Sequence, residues 1–131
     1  MGFDTERWYG ADVLVLPVAA GQTIRQGAIV VVHGGYAKEA PAGGSSAIAA
    51  GRAEHDVDNT GGANGDKTVE VRRGVFRLEA DPADAPGQTE LLKDVYLSGP
   101  NTVAKTSASN SRPKAGKLLR LEGGYAWVEV Y

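Results

Sequence analysis

Residues 67–78 read Lys-Thr-Val-Glu-Val-Arg-Arg-Gly-Val-Phe-Arg-Leu, and the fold turns on how they are parsed. Val69 and Val71 alternate with Glu70 and Arg72, the period-2 pattern of a strand with one buried face. Beyond Gly74 the apolar set moves to Phe76 and Leu78, out of phase with the two valines. One inserted residue at Arg73-Gly74 produces this shift, because a single-residue slip sends every later side chain to the opposite face. The residues fit a Gly-centred bulge or sharp bend, and fit equally well two strands joined by a tight Arg-Gly turn. In either case the middle of the chain is β and contains no catalytic group.

Outward from this stretch, the 131 residues suit one domain, long enough to bury roughly two-thirds of the surface of the unfolded chain. The 18 glycines follow no collagen-like period, so they indicate many tight turns, as in a small barrel or sandwich. Cysteine is absent, which leaves apolar burial and sheet hydrogen bonds to hold the fold. A formal charge of −2 with scattered Lys and Arg lacks the basic footprint of a nucleic-acid binder. No run is long enough to span a bilayer, and the first residues lack the basic start and apolar centre of a signal peptide. Synthesis in a cytoplasm is expected, with no membrane partner.

Residues 1–11 are polar, with Trp8 and Tyr9 set among charges, and read as an extended N-terminal arm whose rings dock on the domain or on a neighbour. The β body is expected over 12–131. Val13 to Val18 reads as a strand near a sheet edge, ended by Pro17. Ala28 to His33 is β-branched and apolar on both faces, a strand covered on both sides, and Gly34-Gly35 turns it back toward Tyr36. Lys38 to Ala50 has no usable period and reads as a surface loop leading to a short strand around Ile48. Asp81 to Gln88 is a loop, Leu91 to Leu97 re-enters the sheet, and Lys105 to Lys114 is a polar, mobile loop. The clearest hairpin joins Lys117–Leu121 to Ala126–Tyr131 through Glu122-Gly123-Gly124. In its second strand Ala126, Val128 and Val130 share a core face, while Tyr125, Trp127, Glu129 and Tyr131 share a face with the composition of a contact surface. Eight to ten short strands and no helix make an all-β, small single-domain β-barrel or sandwich.

The search for chemistry is less productive. His55 to Asp66 spaces Asp56, Asp58, Asn59 and Asn64 among glycines, as a calcium loop does. Counted from Asp56, however, the twelfth position is Lys67, where a bidentate Glu belongs, so a turn built on Asx hydrogen bonds is the better reading. His33 and His55 have no second His or Cys to complete a metal site. There is no G-x-S-x-G, Walker or dinucleotide pattern. No enzyme activity and no cofactor are expected.

Several pieces in order carry a family resemblance: Ala20-Gly21 with Ile24 and Gly27; Asp58-Asn59-Thr60-Gly61 before Gly65-Asp66; Val69 to Phe76; Val95-Tyr96 before Thr102-Val103; Ala115-Gly116-Lys117; and Trp127-Val128. From about Val13 to Tyr131 the chain resembles the capsid cement, or head decoration, proteins of tailed bacteriophages. The resemblance implies a non-enzymatic virion protein that sits on the outer face of the expanded capsid as a small oligomer, a trimer favoured over a dimer. It would bind the major capsid protein and brace the shell against the pressure of packaged DNA. The family supplies no catalytic residues, and the expected partner-binding residues follow from aromatic placement alone: Trp8, Tyr9, Tyr125, Trp127 and Tyr131. Two other readings compete. One is a carbohydrate-binding β module stacking sugars on Trp127, Tyr125 and Tyr36. The other is a biotinyl- or lipoyl-type carrier barrel, for which neither Lys67 nor Lys105 has the required neighbours.

Overall fold

The computed structural model describes residues 2–8 and 11–130. Among these are twelve strands: β1 (Val13–Pro17), β2 (Thr23–Ile24), β3 (Ile29–His33), β4 (Tyr36–Glu39), β5 (Ile48–Ala53), β6 (Val57–Asp58), β7 (Thr68–Arg72), β8 (Gly74–Ala80), β9 (Asp94–Gly99), β10 (Thr102–Ala104), β11 (Lys114–Glu122) and β12 (Tyr125–Val130). The all-β fold expected from the sequence is present, and of the two architectures it allowed the barrel is the one formed: the strands close on themselves twice. In the first ring β1, β7, β5, β3 and β4 pair in that order. This ring closes where Val18, one residue past β1, bridges Ala37 on β4. In the second ring β11, β12, β8, β10 and β9 pair in that order, and β9 returns to β11. A single parallel pair, Lys114 with Ile48, joins the two rings through their strands.

Each ring encloses its own apolar cluster. Val18, Ile24, Val30, Val69 and Val71 fill the first, and Val95, Leu97, Leu118, Val128 and Val130 help fill the second. The wall between them is β3, whose Val30 points into the first core while Ile29 and Val31 point into the second. The period-2 geometry of a strand makes this division automatic, and a strand buried on both faces has to be apolar at every position. The run Ile29-Val30-Val31 meets that demand, as its composition predicts. Ile29 also donates its N–H to the Pro100 carbonyl at 2.7 Å, tying the wall to the second ring's β9–β10 turn.

The phase break at Arg73-Gly74 is where the chain leaves one barrel for the other. Val69 and Val71 are fully buried in the first core, whereas Leu78 is buried in the second. β7 pairs with β1 and β5, β8 pairs with β12 and β10, and the two strands share no pairing. The tight-turn reading is therefore corrected: Arg73-Gly74 is a bend between barrels, not the tip of a hairpin. The crossing brings backbones close together. A Cβ on Gly51 of β5 would lie 2.5 Å from the Arg72 carbonyl oxygen, so only glycine fits beside the bend. Gly116 of β11 has the same role in the second barrel, where a Cβ would lie 1.8 Å from the Glu129 carbonyl oxygen.

Three other expectations need correction. The strand count exceeds eight to ten because β2 and β6 are two-residue strands that pair only with each other, too short to show a period. Ile48 begins a six-residue strand that reaches Ala53, in a stretch whose alanines and glycine hide the alternation. Leu91 and Leu92 stand outside β9 and are exposed, because Leu92 adopts φ +65°, a left-handed conformation that ends the preceding turn. The hairpin of β11 and β12 forms as expected, with Ala126, Val128 and Val130 all fully buried.

Candidate interaction surface

The outward faces of β11, β12 and β8 form one continuous surface. Across it, the register sets Arg120, Trp127 and Arg77 in one row and Glu122, Tyr125 and Glu79 in the next. A third row holds Lys117, Glu129 and Val75. A basic–aromatic row thus lies beside an acidic–aromatic one, and cross-strand neighbours at this spacing interact directly. The Arg77 guanidinium stacks 4.4 Å from the Tyr125 ring centre, and Arg120 pairs with Glu122. A cation over an aromatic face is attracted by the ring quadrupole. Trp127 is half-buried, and its Nε1 is covered with no hydrogen-bond partner among the described residues.

At the seam between the barrels, a groove of about 440 Å³ opens beside this surface. Phe76 contributes to its apolar floor, and Arg52, Arg77, Asn101 and Trp127 stand around it. Arg52 lies 4.8 Å from the Phe76 ring centre. The groove also exposes an unpaired strand edge. β10 meets β8 only at Glu79 and Ala80, where Glu79 donates its N–H to the Asn101 carbonyl at 2.9 Å. Backbone groups alternate sides along a strand, so those of Val75 and Arg77 point the same way as Glu79. No strand among the described residues pairs with them on that side.

The arm contributes no strand to this face. Residues 2–8 form no strand or helix, Phe3 is 100% exposed and Trp8 69% exposed. Of the five expected contact residues, Tyr125 and Trp127 share the outer face of β12, and Trp8 lies on the arm. Tyr9 and Tyr131 lie outside the described residues. Tyr36, the third ring of the carbohydrate reading, sits on the β3–β4 hairpin of the first barrel, whereas Tyr125 and Trp127 belong to the second. Arg52, Arg77, Arg120 and Phe76 escaped the sequence reading. The alternation along β8 shows that Arg77 faces outward, but only the topology reveals that it lies across from Trp127.

The polar loop from His55 to Asp66 uses its oxygens internally. Asp58 accepts the Thr60 N–H at 2.9 Å, Asp66 accepts the Ala63 N–H at 2.9 Å, and Asn64 accepts the Ala20 N–H at 2.8 Å. The Thr60 hydroxyl, followed by its N–H, holds the Asp58 carboxyl below its ordinary pKa. Asn59, 2% exposed, donates from Nδ2 to the carbonyls of Val18, Ala19 and Ala63 at 3.4, 3.0 and 3.1 Å, latching the closure of the first barrel. His55 accepts the Glu70 N–H at Nε2, 3.3 Å away. No group of three or more His, Asp or Glu side chains among the described residues is placed to hold a metal ion.

The loop expected to be polar between Lys105 and Lys114 is tied down at one point. Asp84 accepts from the Thr106 hydroxyl at 2.6 Å and pairs with Arg112 at 2.9 Å. The Thr106 hydroxyl and the Arg112 guanidinium hold the Asp84 carboxyl below its ordinary pKa. On the first barrel Glu39 accepts from the Arg25 backbone N–H and from two guanidinium nitrogens at 3.0, 3.0 and 2.8 Å. Burial alone would raise the Glu39 pKa, and the Arg25 hydrogen bonds and charge override it, leaving it lowered.

No protein-family model, no curated protein and no solved structure matches this chain.

Proposed function

We propose that the chain is a non-catalytic capsid decoration protein, which binds the outer surface of an expanded tailed-phage shell and braces neighbouring capsomers. The observation that carries this reading is the pairing of a closed double barrel with two solvent-facing aromatic elements: an exposed arm bearing Phe3 and Trp8, and the Trp127–Arg77–Tyr125 face. Large exposed rings beside arginines are the usual anchors of protein–protein contacts, and an extended segment can add to a partner's sheet. Many copies on a symmetric lattice gain by avidity, so each contact can be small. The order of short motifs along the chain supports the same reading, with the major capsid protein and further copies of the chain as partners.

Co-sedimentation tests this. The purified chain is expected to bind expanded shells of its phage saturably and to leave unexpanded shells bare. Failure to bind either shell, or specific hits on a glycan array without shell binding, overturns the reading.

A further inference from the structure

We infer that the seam groove is a receptor for the N-terminal arm of a second copy of this chain, which enters as an added strand on the open edge of β8. The inference deepens the decoration reading by assigning the contact between copies. Three observations lead to it. The edge at Val75 and Arg77 offers N–H and C=O groups to no strand among the described residues, and exposed edges of this kind are templates for strand addition. The groove is basic and aromatic, with Arg52 over Phe76 and Arg77 across the strand pair from Trp127. The stretch Phe3-Asp4-Thr5-Glu6 is its chemical complement, with two carboxylates and a fully exposed ring in a segment that forms no strand or helix.

The alternation of an extended chain sorts these groups. Asp4 and Glu6 fall on one side of the arm and Phe3 on the other. Paired along β8, the acidic side lies beside Arg77 and the ring turns to the apolar floor at Phe76. Opposite charges placed across a contact fix its register and its partner more than its raw strength. Each copy carries one arm and one groove, so exchange closes a symmetric assembly with every groove filled. The arm's own groove is also within reach, since the nine steps of chain from Phe3 to Asp12 span roughly 30 Å when extended. Phe3 is nonetheless wholly exposed, so its ring fills no groove of its own chain.

Charge exchange between two variants of the full chain tests the inference. One carries Asp4→Lys and Glu6→Lys, the other Arg52→Glu and Arg77→Glu. Sedimentation equilibrium should show the native chain associating, and each variant alone should dissociate about tenfold more readily. An equimolar mixture of the two should associate again, because the reversed arm now fits the reversed groove. Arg52 also pairs with Glu54, so Arg77→Glu alone serves if the double change unfolds the barrel by circular dichroism. Hydrogen exchange supplies a readout of the strand itself: the Val75 and Arg77 amides should gain protection as native protein is concentrated, and lose it when residues 1–10 are deleted. Association unchanged in both variants, a mixture that fails to recover, or a native monomer at every concentration overturns the inference. Capsid occupancy is measured separately, so loss of arm exchange with shell binding intact leaves the decoration reading standing, and the reverse result removes that reading alone.

Discussion

The two barrels share a wall and differ in how they close. The second closes through paired strands on every side, with the nine-residue β11 and the seven-residue β8 in its ring. The first closes through one bridge, Val18 to Ala37, held by the buried Asn59 amide and a cover of two two-residue strands. Sheet hydrogen bonds do in the second barrel what side-chain hydrogen bonds and glycine-rich turns do in the first. The rings and arginines of the proposed contact face stand on the better-closed barrel, as a contact site built on regular strands requires.

The strongest perturbation of this contrast is Gly116→Ala. Its methyl would overlap the Glu129 carbonyl, so the second barrel should lose about 4 kcal/mol or more, or fail to form, in denaturant unfolding. Leu118→Ala, in the same core, should cost about 2–5 kcal/mol by the same measurement. Because β3 lines both cores, the two barrels should still unfold in one transition; two resolved transitions would show that the wall does not couple them. Asn59→Ala should cost about 1–3 kcal/mol, since it strands buried carbonyls. Hydrogen exchange should then quicken at Ala19, whose N–H bonds to Ala37, while Val95 and Val128 stay protected.

A gentler probe is pH. The Glu39 carboxyl in the first barrel and the Asp84 carboxyl in the second both have folded pKa values below their unfolded ones. Each therefore adds stability that is complete above the unfolded carboxylate range, about pH 4, and is lost as pH falls through the folded value. Glu39→Gln and Asp84→Asn should each lower the melting temperature at pH 7 and converge with the native chain in strong acid. A constant difference at all pH values would contradict the assigned ion pairs. Smallest of all, Arg77→Ala should change stability by less than about 1 kcal/mol, since it removes one exposed ring contact.

Much of the fold was legible because its signals were local. Alternation marked Val69 and Val71, continuous apolarity marked the doubly covered Ile29-Val30-Val31, and Gly123-Gly124 marked the last hairpin. The phase slip at Gly74 was visible too, but its meaning was not: a bend and a hairpin leave the same trace until the partners of β7 and β8 are known. The two-barrel division is equally non-local, since it depends on a lone bridge at Val18 and a lone pair at Ile48. The proposed contact face was half legible. Tyr125 and Trp127 followed from alternation, whereas Arg52 and Arg77 gained significance only once the seam had brought β5 and β8 to one groove.

A reconstruction of virions assembled with and without this chain tests the functional account most directly. The account predicts added density on the outside of the shell, with the size of the double barrel, present only when the chain is supplied. Identical outer surfaces in the two reconstructions, or density confined to the interior or the tail, would contradict it.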